Sequence, residues 1–137
     1  MVPNPRLSLV KEGIRIGRSE GVDFLLPIGG GSVIDTAKGI GYGIANDFEM
    51  EDLLYGRVKT DKNLPIGVIL TIAAAGSEMS SSMVLTIEDG MMKRSYGHDC
   101  SRPKFAIMNP KLTYSLPAYQ TASGAADIMM HTMERYF

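Results

Sequence analysis

Apolar residues change their spacing at each glycine-rich point in the first half of the chain. Apolar positions three or four apart predict an amphipathic helix over residues 6–20, which Gly21 ends. Residues 22–28 then form an almost continuous apolar run, typical of a strand buried on both faces of a parallel sheet. Helical spacing returns over residues 32–45, after three consecutive glycines. Helix, buried strand, glycine turn and helix together predict a doubly wound α/β domain.

Short apolar strands occupy much of the second half of the chain, before a final helix. The pattern predicts a short helical turn at 49–54, a buried strand at 65–70, a hairpin of residues 83–87 and 91–96, a strand at 105–108 and a helix from residue 117 onward. No cap, glycine or proline stops this helix before Phe137. We therefore expect the helix to run to the end of the chain and the fold to continue beyond it.

Length, charge and cysteine content exclude several classes of protein. The 137 residues correspond to about one domain. Fourteen basic and fifteen acidic residues give a net charge of −1 without a long block of either sign, so neither a nucleic-acid partner nor a membrane partner is expected. The single cysteine, Cys100, cannot close an intramolecular disulfide, and the N-terminus has no signal-peptide pattern. These features predict a soluble, cytoplasmic protein.

The glycine turn between the first strand and its helix is the first candidate site. Gly29, Gly30, Gly31 and Ser32 precede a helix whose free N–H groups and dipole favour an anion, so the turn is expected to bind a phosphate. The alternative is a tight left-handed turn with Ser32 as an ordinary helix cap and a returning capping bond from Asp35. The turn matches neither the G-x-G-x-x-G pattern nor a Walker loop.

A second strand end carries small residues that resemble the first. Thr71 follows the strand at 65–70 and leads into the small residues 73–77. Neighbouring strand ends of a parallel sheet form the floor of a ligand crevice, although small residues packed under a helix give the same pattern. Lys93 and Arg94 could reach a phosphate or a ribose, or could form an ordinary solvated pair.

The third candidate site lies on the last predicted helix. Asp127 and His131 stand four residues apart, so their side chains share one helix face. A carboxylate with an imidazole suits Fe²⁺, Zn²⁺ or Mn²⁺, but the same spacing also occurs in ordinary surface pairs. His98 lies in a predicted loop, and we interpret it as a structural or solvated histidine.

Three segments in a fixed order resemble the iron-containing (group III) alcohol dehydrogenases, most nearly their butanol dehydrogenase branch. The resemblance rests on the glycine turn with its helix, the second strand end, and the last helix, at residues 29–38, 70–78 and 116–134. It covers essentially the whole chain. It implies an incomplete Rossmann-like parallel-sheet nucleotide-binding domain over residues 1–115, leading into the first helix of an all-helical metal-binding domain over residues 116–137.

The resemblance also implies roles for particular residues. The glycine turn beginning at Gly29 would hold the pyrophosphate of NADP or NAD through Gly30, Gly31 and Ser32. Thr71 would line the cofactor cleft and Lys93 would contact the nicotinamide ribose. Asp127 and His131 match the first two ligands of a divalent metal, Fe²⁺ in the family name, with Zn²⁺ and Mn²⁺ as alternatives. The implied reaction is hydride transfer between nicotinamide and a small primary alcohol or aldehyde such as butanol, in a protein that forms a homodimer at full length.

Two departures from the family pattern limit what the chain is expected to do alone. Ala75 stands where the family usually has a threonine that faces the cofactor. The family's first strand would precede this chain and two further histidine ligands would follow it, so we expect a segment that is inactive by itself. The alternatives are a truncated, inactive fragment and a relative of glycerol dehydrogenase or dehydroquinate synthase. The choice between NAD and NADP depends on a residue outside the chain.

Overall fold

The computed structural model describes residues 4–137. Over this range it contains four α-helices, a three-stranded sheet and a two-stranded hairpin. The helices are α1 (Leu7–Ser19), α2 (Gly31–Ala45), α3 (Met50–Leu54) and α4 (Ala118–Glu134). The strands are β1 (Ile28–Gly29), β2 (Gly67–Leu70), β3 (Ser82–Ile87), β4 (Met92–Gly97) and β5 (Phe105–Ile107). These bounds confirm the predicted helices and strands with ends shifted by a few residues, except for the first strand, which was predicted at residues 22–28.

The three-stranded sheet is parallel and has the order β1-β2-β5. Ile69 lies opposite Ile28 on one side and Ile107 on the other, so β2 is the central strand. The predicted α/β class with a parallel sheet is therefore confirmed. Because the strands are parallel, β1 and β2 end at the same edge, where Gly29 lies opposite Leu70.

The segment before the glycine turn differs from its prediction in length and in burial. Strand pairing within residues 22–28 is reduced to the start of β1 and one bridge between Leu25 and Ile66. Phe24, Leu26 and Ile28 are 39%, 47% and 60% exposed, so the prediction of a strand buried on both faces is wrong. The physical reason is that α2 covers one sheet face through Ile34, whereas nothing in residues 4–137 covers the other.

The larger hydrophobic core lies between the helices and the hairpin. Its buried side chains come from α1, α2, α3 and β3, and are Leu7, Val10, Tyr42, Met50, Leu53, Leu54, Met83, Leu85 and Ile87. The β3–β4 hairpin is antiparallel, as predicted, and β3 also bonds to the start of the chain, where the Thr86 N–H donates to the Pro5 carbonyl at 2.8 Å. This core fixes α2, and with it the glycine turn, against the hairpin.

The last helix is the least covered element. Helix α4 ends at Glu134 and does not continue to Phe137 as predicted, and Gly124 is its one buried residue. The division into domains at residue 115 stays a prediction. Across residues 4–137, no helix combines the length and the hydropathy needed to cross a bilayer.

Candidate functional site

The glycine turn leads directly from β1 into α2 without a left-handed residue. Gly30 is the N-cap of α2, with φ −95° and ψ −167°. The glycines with positive φ in residues 4–137 lie elsewhere, at positions 21, 56, 76 and 90. The alternative of a tight left-handed turn is therefore wrong, and the three glycines need another explanation.

Close packing explains two of the three glycines. A Cβ placed on Gly29 would stand 2.5 Å from Cγ2 of Val33, and one placed on Gly30 would stand 2.5 Å from Cγ2 of Ile72. At Gly31 the nearest atom would be the Ser77 hydroxyl oxygen at 3.4 Å, an ordinary contact distance. Packing within the described residues thus disfavours a side chain at Gly29 and Gly30 but leaves room for a Cβ at Gly31, in ordinary contact with Ser77.

Backbone N–H groups at the start of α2 are available to a ligand. The Gly30 carbonyl accepts the N–H groups of Val33 at 3.0 Å and Ile34 at 3.2 Å. Gly31 and Ser32 are the first two residues of α2, and no carbonyl of the helix lies in position to accept their N–H groups. No side chain caps α2, and the expected cap by Ser32 is wrong because Gly30 occupies the N-cap position. The free N–H groups can therefore receive an anion.

The end of β2 lies against the turn, as expected for neighbouring parallel strands. The Thr71 N–H donates to the Gly29 carbonyl at 3.1 Å. Ile72 then packs against Gly30, and Ser77 lies beside Gly31. The structure therefore brings the glycine turn and Thr71 together at one edge of the sheet. We call residues 71–82, from the end of β2 to the first residue of β3, the β2–β3 connection.

Asp35 lies on the core side of α2 and makes no return bond to the turn. Its Oδ2 accepts the Val84 N–H of β3 at 3.0 Å, so the expected capping bond from Asp35 is wrong. Its Oδ1 is buried and has no hydrogen-bond partner in residues 4–137. Burial raises the pKa of Asp35, while the bond from Val84 and the positive charge of Lys38 oppose that rise.

Lys38 is a buried charged residue at this site. Its role there was not predicted from the sequence. Its side chain is fully buried, and Nζ donates to the carbonyls of Ser77, Ser80 and Ser82 at 2.8, 2.7 and 2.8 Å. Burial lowers the pKa of Lys38 to about 8, opposed by the negative charge of Asp35. The available signal in the sequence was an Asp-x-x-Lys pair within an otherwise apolar and small-residue helix.

Lys93 lies on the β3–β4 hairpin and not on the parallel sheet that leads into the turn. It is exposed on β4, opposite Thr86 of β3, and no hydrogen bond or ion pair within residues 4–137 joins it to the glycine turn. Its neighbour Arg94 lies 5.5 Å from the ring centre of Tyr55. His98 accepts the Cys100 N–H on Nδ1 at 3.2 Å, which confirms its interpretation as a structural residue.

Helix α4 contacts the site through its single buried residue. A Cβ placed on Gly124 would stand 2.5 Å from the carbonyl oxygen of Ala73 in the β2–β3 connection. Asp127 and His131 follow three and seven residues later, so they continue the helix face that begins at Gly124. The connection therefore contacts both the glycine turn and the helix that carries the predicted metal pair.

The geometry of Asp127 and His131 suits two ligands of one ion. Asp127 Oδ1 and His131 Nε2 are 3.7 Å apart, with side chains 45% and 52% exposed. Two donors about 2.1 Å from one tetrahedral ion would stand about 3.4 Å apart. The other ring nitrogen, Nδ1, faces Glu134 Oε2 at 3.6 Å, the side from which a carboxylate orients a metal-bound imidazole. No third ligand joins the pair, since residues 4–137 contain no group of three such side chains arranged for a metal.

Comparison of the sequence with known proteins gives a consistent result. The family model described as "Iron-containing alcohol dehydrogenase" matches residues 1–110. The chain is 47% identical over 135 residues to NADH-dependent butanol dehydrogenase A of Clostridium acetobutylicum, covering 98% of this chain and 35% of that protein. It is 35% identical over 138 residues to the NADPH-dependent aldehyde reductase YqhD of Escherichia coli, with the same coverage of each. The chain thus spans about a third of the length of these relatives.

Solved structures give the same likeness in three dimensions. The crystal structure of NADH-dependent butanol dehydrogenase A from Thermotoga maritima matches with a TM-score of 0.94 and 36% identity, over 98% of this chain and 34% of that one. Sulfoacetaldehyde reductase from Bifidobacterium kashiwanohense, in complex with NAD⁺, matches with a TM-score of 0.84 and 32% identity, over 93% and 34% of the respective chains. Both likenesses thus cover more than nine-tenths of this chain.

Proposed function

The chain belongs to the iron-containing alcohol dehydrogenase family, and on that premise we propose that it is part of a metal-dependent, NAD(P)-linked alcohol dehydrogenase or aldehyde reductase. One observation carries the proposal. The β2–β3 connection contacts the glycine turn through Ile72 and the helix of Asp127 and His131 through Ala73. A phosphate-binding turn and a pair of metal ligands are therefore attached to one short segment.

The proposed substrate class follows from the relatives. Those named above are butanol dehydrogenases and aldehyde reductases, which supports a small primary alcohol or aldehyde such as butanol or butyraldehyde as the substrate. One is NADH-dependent and another NADPH-dependent, so the proposal covers both cofactors. Because the chain spans about a third of their length, the activity is proposed for the protein that contains this chain.

The residues at the turn would bind the cofactor directly. The N–H groups of Gly31 and Ser32 would donate to the pyrophosphate, and the positive end of the α2 dipole would favour its charge. The lack of a side chain at Gly31 allows close approach by a phosphate to these N–H groups, whereas Gly29 and Gly30 keep the turn compact. Thr71 would line the cleft beside the turn, and Lys93 would contact the ribose.

The metal ligands on α4 would act at the reacting end of the cofactor. Asp127 and His131 would hold a divalent ion, Fe²⁺ with Zn²⁺ or Mn²⁺ as alternatives, together with ligands from outside residues 4–137. When bound, nicotinamide supplies or accepts a hydride and the metal supplies Lewis acidity at the substrate oxygen. Glu134 would keep Nε2 of His131 directed at the ion by facing its Nδ1.

The test uses the complete reading frame that encodes this chain. We expect the protein to reduce butyraldehyde with NADH or NADPH, to lose that activity after chelation, and to regain it when Fe²⁺ is restored. His131→Ala should abolish turnover while cofactor binding persists. Activity that survives both a strong chelator and His131→Ala would contradict the metal mechanism, and absence of binding to either cofactor would contradict the proposed function as a whole.

Three further expectations belong to this proposal. The full-length protein is expected to form a homodimer and to reside in the cytoplasm. The 137-residue chain is expected to be inactive by itself, because residues 4–137 supply two metal ligands only. Its α4 exposes the apolar side chains Ile128, Met129, Met130 and Met133.

A further inference from the structure

The second half of the β2–β3 connection is held by one side chain of α2. Lys38 Nζ lies 2.8, 2.7 and 2.8 Å from the carbonyl oxygens of Ser77, Ser80 and Ser82. An ammonium group has three N–H donors, and these three acceptors use all of them. Lys38 therefore has no donor left for a substrate or a cofactor, and its hydrogen bonds within the described residues are with backbone alone.

The segment that Lys38 holds runs past Gly31 of the turn. The Ser77 hydroxyl oxygen is the nearest neighbour of a Cβ placed on Gly31, at 3.4 Å. The residue before it, Gly76, has a φ of +76°, so the chain turns sharply just before Ser77. The position of Ser77 beside the turn thus depends on what holds the residues after it.

Other side chains also hold this segment, but from a different side. The Ser101 hydroxyl donates to the Ser81 carbonyl at 2.7 Å, and Arg102 Nη1 donates to the Met79 carbonyl. Both of these residues precede β5. Lys38 differs because it belongs to the same helix as Gly31, about 10 Å further along a rigid α-helix. It therefore sets the distance between the segment and the turn.

We propose that Lys38 is a positioning residue for cofactor binding, which holds residues 77–82 at a fixed distance from the glycine turn and so places the Ser77 hydroxyl beside Gly31. This inference rests on the proposed function, since it assumes that the turn binds the cofactor. Asp35 supports the arrangement from the preceding turn of α2, where its Oδ2 accepts the Val84 N–H. Lys38 carries out this role with its charge and donors and takes no part in hydride transfer.

The experiment compares three forms of the protein expressed from the complete reading frame. Lys38→Met keeps most of the side-chain length but removes the donors, and Lys38→Ala leaves space for a free amine. We expect both variants to raise KM and Kd for NADH or NADPH about tenfold or more while kcat at saturating cofactor changes about threefold or less. Propylammonium matches the atoms removed in Lys38→Ala and should restore cofactor affinity in that variant. Tetramethylammonium carries the same charge but has no N–H donor and should not.

The outcomes separate this inference from the proposed function. If the wild type binds neither cofactor, the proposed function fails and the role of Lys38 fails with it. If the wild type binds a cofactor and Lys38→Met binds it equally well, only the role of Lys38 is overturned. Rescue by tetramethylammonium as effective as rescue by propylammonium would also overturn it, because charge alone would then suffice.

Hydrogen exchange on the wild type keeps the test decisive if the variants do not fold. The Met79 N–H donates to the Gly76 carbonyl at 3.0 Å, and the Ser82 N–H donates to the Ser80 hydroxyl at 2.9 Å. If Lys38 holds this segment in place before the cofactor arrives, both amides are protected in the cofactor-free protein and gain little when NADH or NADPH binds. Exchange at unprotected rates in the free protein would overturn the proposal.

Discussion

Gly124 of α4 lies so close to Ala73 that a single added carbon would stand 2.5 Å from the Ala73 carbonyl oxygen. This contact joins the helix of Asp127 and His131 to the β2–β3 connection, and Gly124 is the one buried residue of that helix. The position of Asp127 and His131 relative to the glycine turn therefore depends on a contact that only glycine permits.

Gly124→Ala tests this dependence. Alanine favours a helix interior over glycine by about 1 kcal/mol, so helix propensity alone predicts a more stable protein. We expect the opposite, a loss of about 1–3 kcal/mol from overpacking against Ala73, and a fall in kcat/KM of about tenfold or more. Denaturant unfolding and steady-state reduction of butyraldehyde measure the two effects.

Ser123→Ala is the matched control for that change. Ser123 is the exposed neighbour of Gly124 on α4, so its replacement should leave stability within about 0.5 kcal/mol and activity unchanged. If Gly124→Ala were as stable and as active as Ser123→Ala, the contact would not determine the position of α4.

Gly30→Ala should lower stability, whereas Gly31→Ala should lower cofactor affinity. At Gly30 the new methyl group meets Cγ2 of Ile72 at 2.5 Å, so we expect a stability loss of about 1–3 kcal/mol. At Gly31 it meets only the Ser77 hydroxyl at 3.4 Å, so the fold should tolerate it. The methyl group would still take space beside the free N–H groups, and Kd for the cofactor should rise about tenfold or more. Melting temperature and cofactor fluorescence separate the two effects, and unchanged cofactor affinity in a folded Gly31→Ala variant would remove the turn from the cofactor site.

Glu134→Gln tests the orientation of His131. The amide retains the shape of the side chain but loses the charge that faces Nδ1, so metal affinity should fall about 10- to 100-fold. The metal content of the purified protein after dialysis against a weak chelator is the measurement. Glu20→Gln, at the far end of the chain and exposed, should retain its metal. Equal metal retention by both variants would show that Glu134 has no effect on the ligand.

Lys93→Gln tests a proposed cofactor contact that comes from the hairpin and not from the glycine turn. If Lys93 contacts the ribose, KM for the cofactor should rise about tenfold, equivalent to about 1.4 kcal/mol, with stability unchanged because the side chain is exposed. Lys62→Gln is an exposed control from the loop before β2. Identical cofactor KM in the two variants would remove Lys93 from the site.

The elements of the fold could be predicted because their periodicity is local. The bounds of α1 and α2 agree with the apolar spacing to within two residues, since each helix buries one continuous face. The burial of β1 could not be predicted in the same way. A continuous apolar run indicates that both faces of a strand are apolar, but it does not show what covers each face. Phe24 and Ile28 are exposed because nothing in residues 4–137 covers the second face of the sheet.

The site shows the same limit at the level of single residues. The positions of the glycine turn and of Thr71 could be predicted from strand ends, because the edge of a parallel sheet follows from chain order. The reasons for Gly29 and Gly30 could not, since the contacts with Val33 and Ile72 depend on tertiary packing. Lys38 was missed because its three acceptors are carbonyl groups, which leave no pattern in the sequence.

The most direct test of the account follows the hydride itself. NADH or NADPH carrying deuterium at the transferred position of C4 is mixed with butyraldehyde and the metal-loaded protein, and the butanol formed is analysed by mass spectrometry. We predict one deuterium in each butanol, loss of the reaction after chelation, and its return with Fe²⁺. Cofactor oxidation that continues at the same rate in the chelated protein, or butanol that carries no deuterium, would contradict the central claim.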